Sequence, residues 1–215
     1  MLLDRLLYAV LMIPLIFLAA CGKEDVAEEI NDHLEETVEI EKEFEVNQEK
    51  IFELEKEDEE LYNKIISLDG DDKKKVRELS DEAIGLLDER LEYAKLEKES
   101  LEKSREEFEK VEPLIEKVEE DDEKELLEKM FDTMIERYEA YEEVHEQYSD
   151  SVRLTKDLYT LFKEEEFNEN QVYSVIGNVN DSYDEVQKAN DRFNKETALY
   201  NELKLEYYDA SDNEK

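Results

Sequence analysis

The chain has one cysteine, no tryptophan, two prolines and four glycines in 215 residues, and its 28 basic residues are far outnumbered by 65 acidic ones. Each shortage excludes something. A single thiol cannot close a disulfide within the chain, so the fold has to stand on packing alone. A formal net charge of -37 repels phosphate polymers, which removes nucleic acid from the partners. Such acidity at low hydrophobicity also fits a disordered chain. Disordered acidic segments are normally richer in glycine and proline, however, and this body keeps only Gly22, Gly70, Gly85, Gly177 and Pro113 after the leader. No serine sits in a Gly-x-Ser-x-Gly elbow and no glycine-rich phosphate loop occurs. The chain is therefore read as a non-enzyme with no cofactor.

What is present begins at the N-terminus. Met1 to Arg5 carries a weak positive balance, and Leu6 to Leu18 is an apolar core of signal-peptide length. Small residues and the lone cysteine follow, in the order Leu18-Ala19-Ala20-Cys21. That quartet resembles the bacterial lipobox, in which the cysteine thiol receives a diacylglyceryl group after the leader, residues 1–20, is removed. A membrane span needs roughly 20 apolar residues, and Leu6 to Ala20 falls short. Two acyl chains hold a protein stably where one does not, so diacylglyceryl-Cys21 serves as the membrane anchor. The expected location is the outer face of the cytoplasmic membrane, facing the cell wall.

Residues 21–210 are expected to form an all-α ectodomain: an elongated antiparallel bundle of four helical segments, at about 24–68, 72–120, 122–165 and 169–208. Residues 211–215 are read as a disordered tail. The first segment follows alternating 4-3 spacing through Val26, Ile30, Phe44, Ile51, Leu54, Leu61 and Ile65, a coiled-coil-like stripe. His33, Thr37, Asn47 and Asp58 fall on the same stripe and are expected to set register through polar contacts. Pro113 should kink the second segment, because it removes a backbone donor and its ring crowds the preceding turn. That segment's seam is weakest from Glu97 to Arg105, where Lys98 and Arg105 fall on core-like positions. Asp69-Gly70-Asp71-Asp72 breaks the first pair of helices and lacks the Gly and Glu spacing of a calcium loop. At 1.5 Å per residue such a bundle is a rod roughly 63 Å long.

Few residues offer chemistry. Glu142-x-x-His145 matches half of a di-metal ligand set, but the other histidine, His33, has Ile30 three residues before it. No metal site is expected. Tyrosines are the more informative set: Tyr138, Tyr141, Tyr148, Tyr159, Tyr183 and Tyr200 recur at helical spacing. Their rings serve either as core or, if a groove between the last two helices is open, as a ligand face for sugars.

With the lipobox and the four acidic helical segments placed, the whole chain resembles the YkyA-type lipoproteins of Bacillus and Staphylococcus relatives. The resemblance rests on chain length, on Leu-Ala-Ala-Cys-Gly at Leu18 to Gly22, and on the Glu/Lys-rich helical body. It implies a Gram-positive surface lipoprotein with a proposed role in wall binding, its partners being peptidoglycan or another envelope protein. The alternative reading is a structural spacer or oligomerising scaffold at the membrane–wall interface, with no wall ligand.

Overall fold

In a computed structural model, residues 20–68, 72–166 and 168–213 are described, with side chains from Val26 to Ala210 apart from Asp69–Asp71, Phe167 and Glu169. Five helices follow in order: α1 (Ala20–Ile66), α2 (Lys73–Phe108), α3 (Glu112–Ile115), α4 (Asp121–Phe162) and α5 (Glu169–Asn213). No strand occurs among the described residues. The four long helices run up, down, up and down. α1 pairs with α2 and α4 with α5, and α2 packs on α4 to join the two hairpins. α1, at 47 residues, spans about 70 Å.

The expected kink in the second segment takes the form of a 3-10 turn set into helical backbone. α2 ends at Phe108, a 3-10 turn covers Glu109–Val111, and α3 is a single further turn. The cause is local: Pro113 has no N–H to bond the Glu109 carbonyl, and its ring would press on that carbonyl in a continued α-helix. The turn begins four residues ahead of the proline for that reason. Val111, Leu114 and Ile115, in and just after this turn, are all buried. At the other end, Asn168 begins α5 with its side chain: its Oδ1 accepts the backbone N–H of Asn170 at 2.9 Å.

The apolar stripe of α1 packs as its spacing dictates, with Ile30, Phe44, Ile51, Leu54, Leu61 and Ile65 all buried. On α2 the seam runs Leu87, Arg90, Ala94, Glu97, Leu101, Ser104, Phe108, an unbroken 3-4 alternation that buries two charged side chains. Lys98 and Arg105 are not on it. Their side chains are 37% and 31% exposed and pair with Glu102 and Glu109 on the same helix.

Two apolar clusters lie along the rod. The larger one, nearer the N-terminus of α1, draws on every helix and centres on Phe108, whose ring stacks on Phe131 at 5.3 Å and meets Tyr200 edge-on at 6.0 Å. The far cluster is built from Leu61 and Ile65 of α1, Leu79, Ala83 and Leu87 of α2, and Val152 and Tyr159 of α4. Among the described residues, α5 contributes nothing to that cluster. The bundle is closed at one end and three-sided at the other.

Candidate functional site

Two polar layers cross the core, the first within the large cluster and the second at the edge of the far one. In the first, Arg137 of α4 forks onto Glu41 of α1, with Nη1 donating to Oε1 at 2.8 Å and Nη2 to Oε2 at 2.9 Å. Its Nε donates to Thr197 of α5 at 3.0 Å, and its guanidinium lies over the Phe193 ring at 4.9 Å. Ser104 of α2 completes the layer by donating to Glu41 at 2.8 Å and pairing with the Tyr138 hydroxyl at 2.7 Å. All four long helices meet in this layer, which fixes their register. Closer to the middle, the Tyr141 hydroxyl donates to Glu97 at 3.1 Å. Burial pushes the Glu97 carboxyl up to about 7, against the pull of that hydrogen bond.

The second layer differs because α5 does not take part. Arg90 of α2, 1% exposed, donates from Nη1 to Asp58 at 3.1 Å, from Nη2 to Glu55 at 3.0 Å and from Nε to the Tyr148 hydroxyl at 2.9 Å. The Tyr148 hydroxyl in turn donates to Glu55 at 3.1 Å, and Tyr159 donates to the other oxygen of Asp58 at 2.6 Å. Burial opposes the charge on Arg90, but Tyr148, Tyr183 and Glu55 outweigh it and raise its pKa above the ordinary value. Burial pushes Asp58 above the usual carboxylate value, with Tyr159 and Arg90 pulling the other way.

Above this layer, α5 stands off from α1 and leaves a cleft of about 700 Å³. Its floor is Arg90, Asp58, Tyr148 and Tyr159. Glu55, Glu59 and Tyr62 form the α1 wall; Asn180, Tyr183, Gln187 and Asn190 line the α5 wall. A smaller hollow of about 190 Å³ continues it toward mid-bundle, sharing Glu55, Tyr148 and Asn190 and reaching Glu97 and His145. The cleft follows from composition. Closing α5 onto α1 here would bury Glu55 and Glu59 against carboxamides, with one guanidinium already committed to two carboxylates. In the closed half, Phe44 of α1 meets Phe193 of α5 at 6.2 Å and no such cost arises.

Tyrosines expected as one ligand face separate into two groups. Tyr138, Tyr141 and Tyr200 are buried in the large core. Tyr148, Tyr159 and Tyr183 line the cleft, with Tyr183 the most open at 38% exposed. The groove also lies between α1 and α5, rather than between α4 and α5. Leu18 and Ala19 lie outside the described residues, and Ala20 and Cys21 are in the first turn of α1.

His33 takes no part in the cleft; its Nδ1 meets Glu107 at 2.7 Å. With α1 and α4 parallel and Glu41 level with Arg137, His145 stands roughly 24 Å along the axis from His33. Among the described residues no group of His, Cys, Asp and Glu is placed to hold a metal ion. Burial lowers the His145 pKa, with Lys98 and Arg153 adding to the effect. No helix of the described residues is long and apolar enough to cross a membrane.

Sequence reasoning passed over Arg90, Glu97, Glu41, Ser104 and Arg137, because a search for apolar positions skips charged and hydroxyl residues. The 3-4 spacing that links Leu87 to Ala94 through Arg90, and Ala94 to Leu101 through Glu97, was the available signal.

Fold and cleft together define an elongated acidic four-helix bundle, closed at one end and carrying a polar-floored groove at the other. The chain belongs to the YkyA family, described as "Putative cell-wall binding lipoprotein", whose sequence profile matches residues 25–210. It is 32% identical over 196 residues to the uncharacterized lipoprotein YkyA of Bacillus subtilis (strain 168), covering 91% of this chain and 88% of that protein. A crystal structure of a conserved Staphylococcus aureus protein of unknown function is similar with a TM-score of 0.73, covering 92% of this chain and 98% of that chain. At 15% identity that likeness shows the fold alone. Membership of a lipoprotein family implies a membrane-anchored surface protein of Gram-positive bacteria.

Proposed function

We propose that this chain is a non-enzymatic envelope protein that binds a cell-wall component through the α1–α5 cleft. It is tethered at the outer face of the cytoplasmic membrane by diacylglyceryl-Cys21. The observation that carries the reading is the cleft itself: about 700 Å³, within the usual range of ligand sites, with tyrosine rings and carboxamides converging on it. The family's description supports a wall ligand over other envelope partners. Binding is favoured over catalysis because the floor's charged groups are bound to one another. Arg90 holds both Glu55 and Asp58 in place.

A second reading, an oligomerising scaffold or a receptor for another surface protein, is favoured by exposed apolar side chains such as Phe52, 70% exposed, and Val46. Sedimentation across a salt series tests it: a monomer at all salts removes the oligomer.

Co-sedimentation of the Gly22–Lys215 fragment with purified sacculi tests the first reading, with and without teichoic acid and with and without magnesium. Saturable binding to bare peptidoglycan supports it. Binding only with teichoic acid and magnesium assigns the acidic surface a cation-bridged contact instead of the cleft. No binding in any arm removes the wall ligand and leaves the scaffold.

A further inference from the structure

We infer that the cleft takes an uncharged glycan strand bearing acetamido groups, held between the carboxylates of α1 and the carboxamides and Tyr183 ring of α5. The inference rests on the wall-binding reading and adds the chemical class of its ligand.

Charge narrows the class first. Among the residues lining the cleft the charged groups are Glu55, Asp58, Glu59 and Arg90. Arg90 spends three of its five N–H donors on Asp58, Glu55 and Tyr148, its charge is balanced by two carboxylates and it is almost fully buried, so it is poorly placed to receive a phosphate or carboxylate. The lining is net negative without a free cation, and an anionic polymer entering it would meet uncompensated repulsion. Hydrogen-bond inventory narrows it further. Glu55 uses Oε1 for Arg90 and Tyr148, and Glu59 is exposed, so the α1 wall accepts from hydroxyl or amide donors. Asn180, Gln187 and Asn190 supply both donors and acceptors without charge, matching amide groups on a ligand. Tyr183 presents an open ring, the surface on which the apolar face of a pyranose rests. A strand with hydroxyls, acetamides and C–H faces satisfies all three surfaces; an ammonium-bearing peptide would use only the carboxylates.

Calorimetric titration of the lipid-anchored chain in detergent micelles tests this with three probes. They are an N-acetylated chito-oligosaccharide, the same oligomer de-N-acetylated, and a glycerol-phosphate polymer. The expected result is binding of the N-acetylated oligomer alone, weakened at least tenfold by Tyr183→Ala and by Asn180→Ala/Gln187→Ala at unchanged melting temperature. Equal or tighter binding of the de-N-acetylated oligomer overturns the inference, because charge would then be the recognised feature. Binding of the phosphate polymer, or wild-type affinity in both variants, also overturns it. If no oligomer binds while the wild-type chain still pellets with sacculi, the ligand class falls and the wall reading stands. If the chain fails to pellet as well, both fall.

Discussion

Arg90 of α2 reaches the neighbouring helix at Asp58 of α1, Nη1 to Oδ2 at 3.1 Å, from a position with 1% of its surface in solvent. Removing one partner from such a pair leaves a buried charge uncompensated. Arg90→Ala is expected to cost about 3 kcal/mol, the low end of the usual penalty because Glu55 is partly solvated. Arg90→Met combined with Glu55→Gln and Asp58→Leu should recover most of that loss. Urea unfolding of both variants checks it, and an unchanged midpoint for Arg90→Ala would show that the layer is dispensable for stability.

Glu97 has its carboxyl pushed up to about 7 by burial, above its ordinary value of 4.5. The folded protein therefore binds that proton more tightly than the unfolded chain does. Its contribution is fully present below about pH 4.5 and is lost as pH rises through 7, by about 3 kcal/mol in all. Glu97→Gln keeps an acceptor for the Tyr141 hydroxyl and has no proton to lose. Its advantage in melting temperature over the wild type should grow from pH 5 to pH 8; parallel curves across that interval would refute the assignment.

The far half of α5 packs on α4 without entering the Leu61–Leu87–Tyr159 cluster, whereas its other half joins the large core through Phe193, Tyr200 and Tyr207. Local opening free energy follows buried apolar contact. Amide hydrogen exchange should be faster over residues 170–187 than over 190–207. Uniform protection along α5 would mean that its two halves open together.

If two acyl chains on Cys21 supply the tether, as proposed, Cys21→Ser is expected to leave the bundle folded and move the protein from the membrane to the soluble fraction. Far-ultraviolet circular dichroism and membrane fractionation read the two halves of that statement. A variant that stays with the membrane would sink the lipid-anchor proposal.

Periodicity made the fold legible. The apolar stripe of α1 is regular enough that even Asp58 could be placed on the buried face before its partner was known. The partner was not legible, because Arg90 looks like a surface residue to any reading that equates charge with solvent. Only the uninterrupted 3-4 spacing from Leu87 to Phe108 betrays it. The tyrosines show the opposite limit. Tyr138 and Tyr148 have the same helical spacing and the same chemistry, yet one is walled in by α5 and the other looks into a gap. Whether α5 closes over a given level depends on what α1 presents there, Phe44 in one place and Glu55 with Glu59 in another. That is a relation between helices more than a hundred residues apart in sequence, and no local pattern carries it.

The continuity of α1 fixes a height. From Cys21 to Asp58 the chain is uninterrupted helix, so the cleft lies about 55 Å from Cys21, the proposed lipidation position, measured by residue count. A flexible tether would let the cleft wander over a volume; a stiff helix packed in a bundle holds it at one height. Adding or deleting heptads in all four helices on the Cys21 side of the cleft would move its level by about 10 Å per heptad without altering its lining.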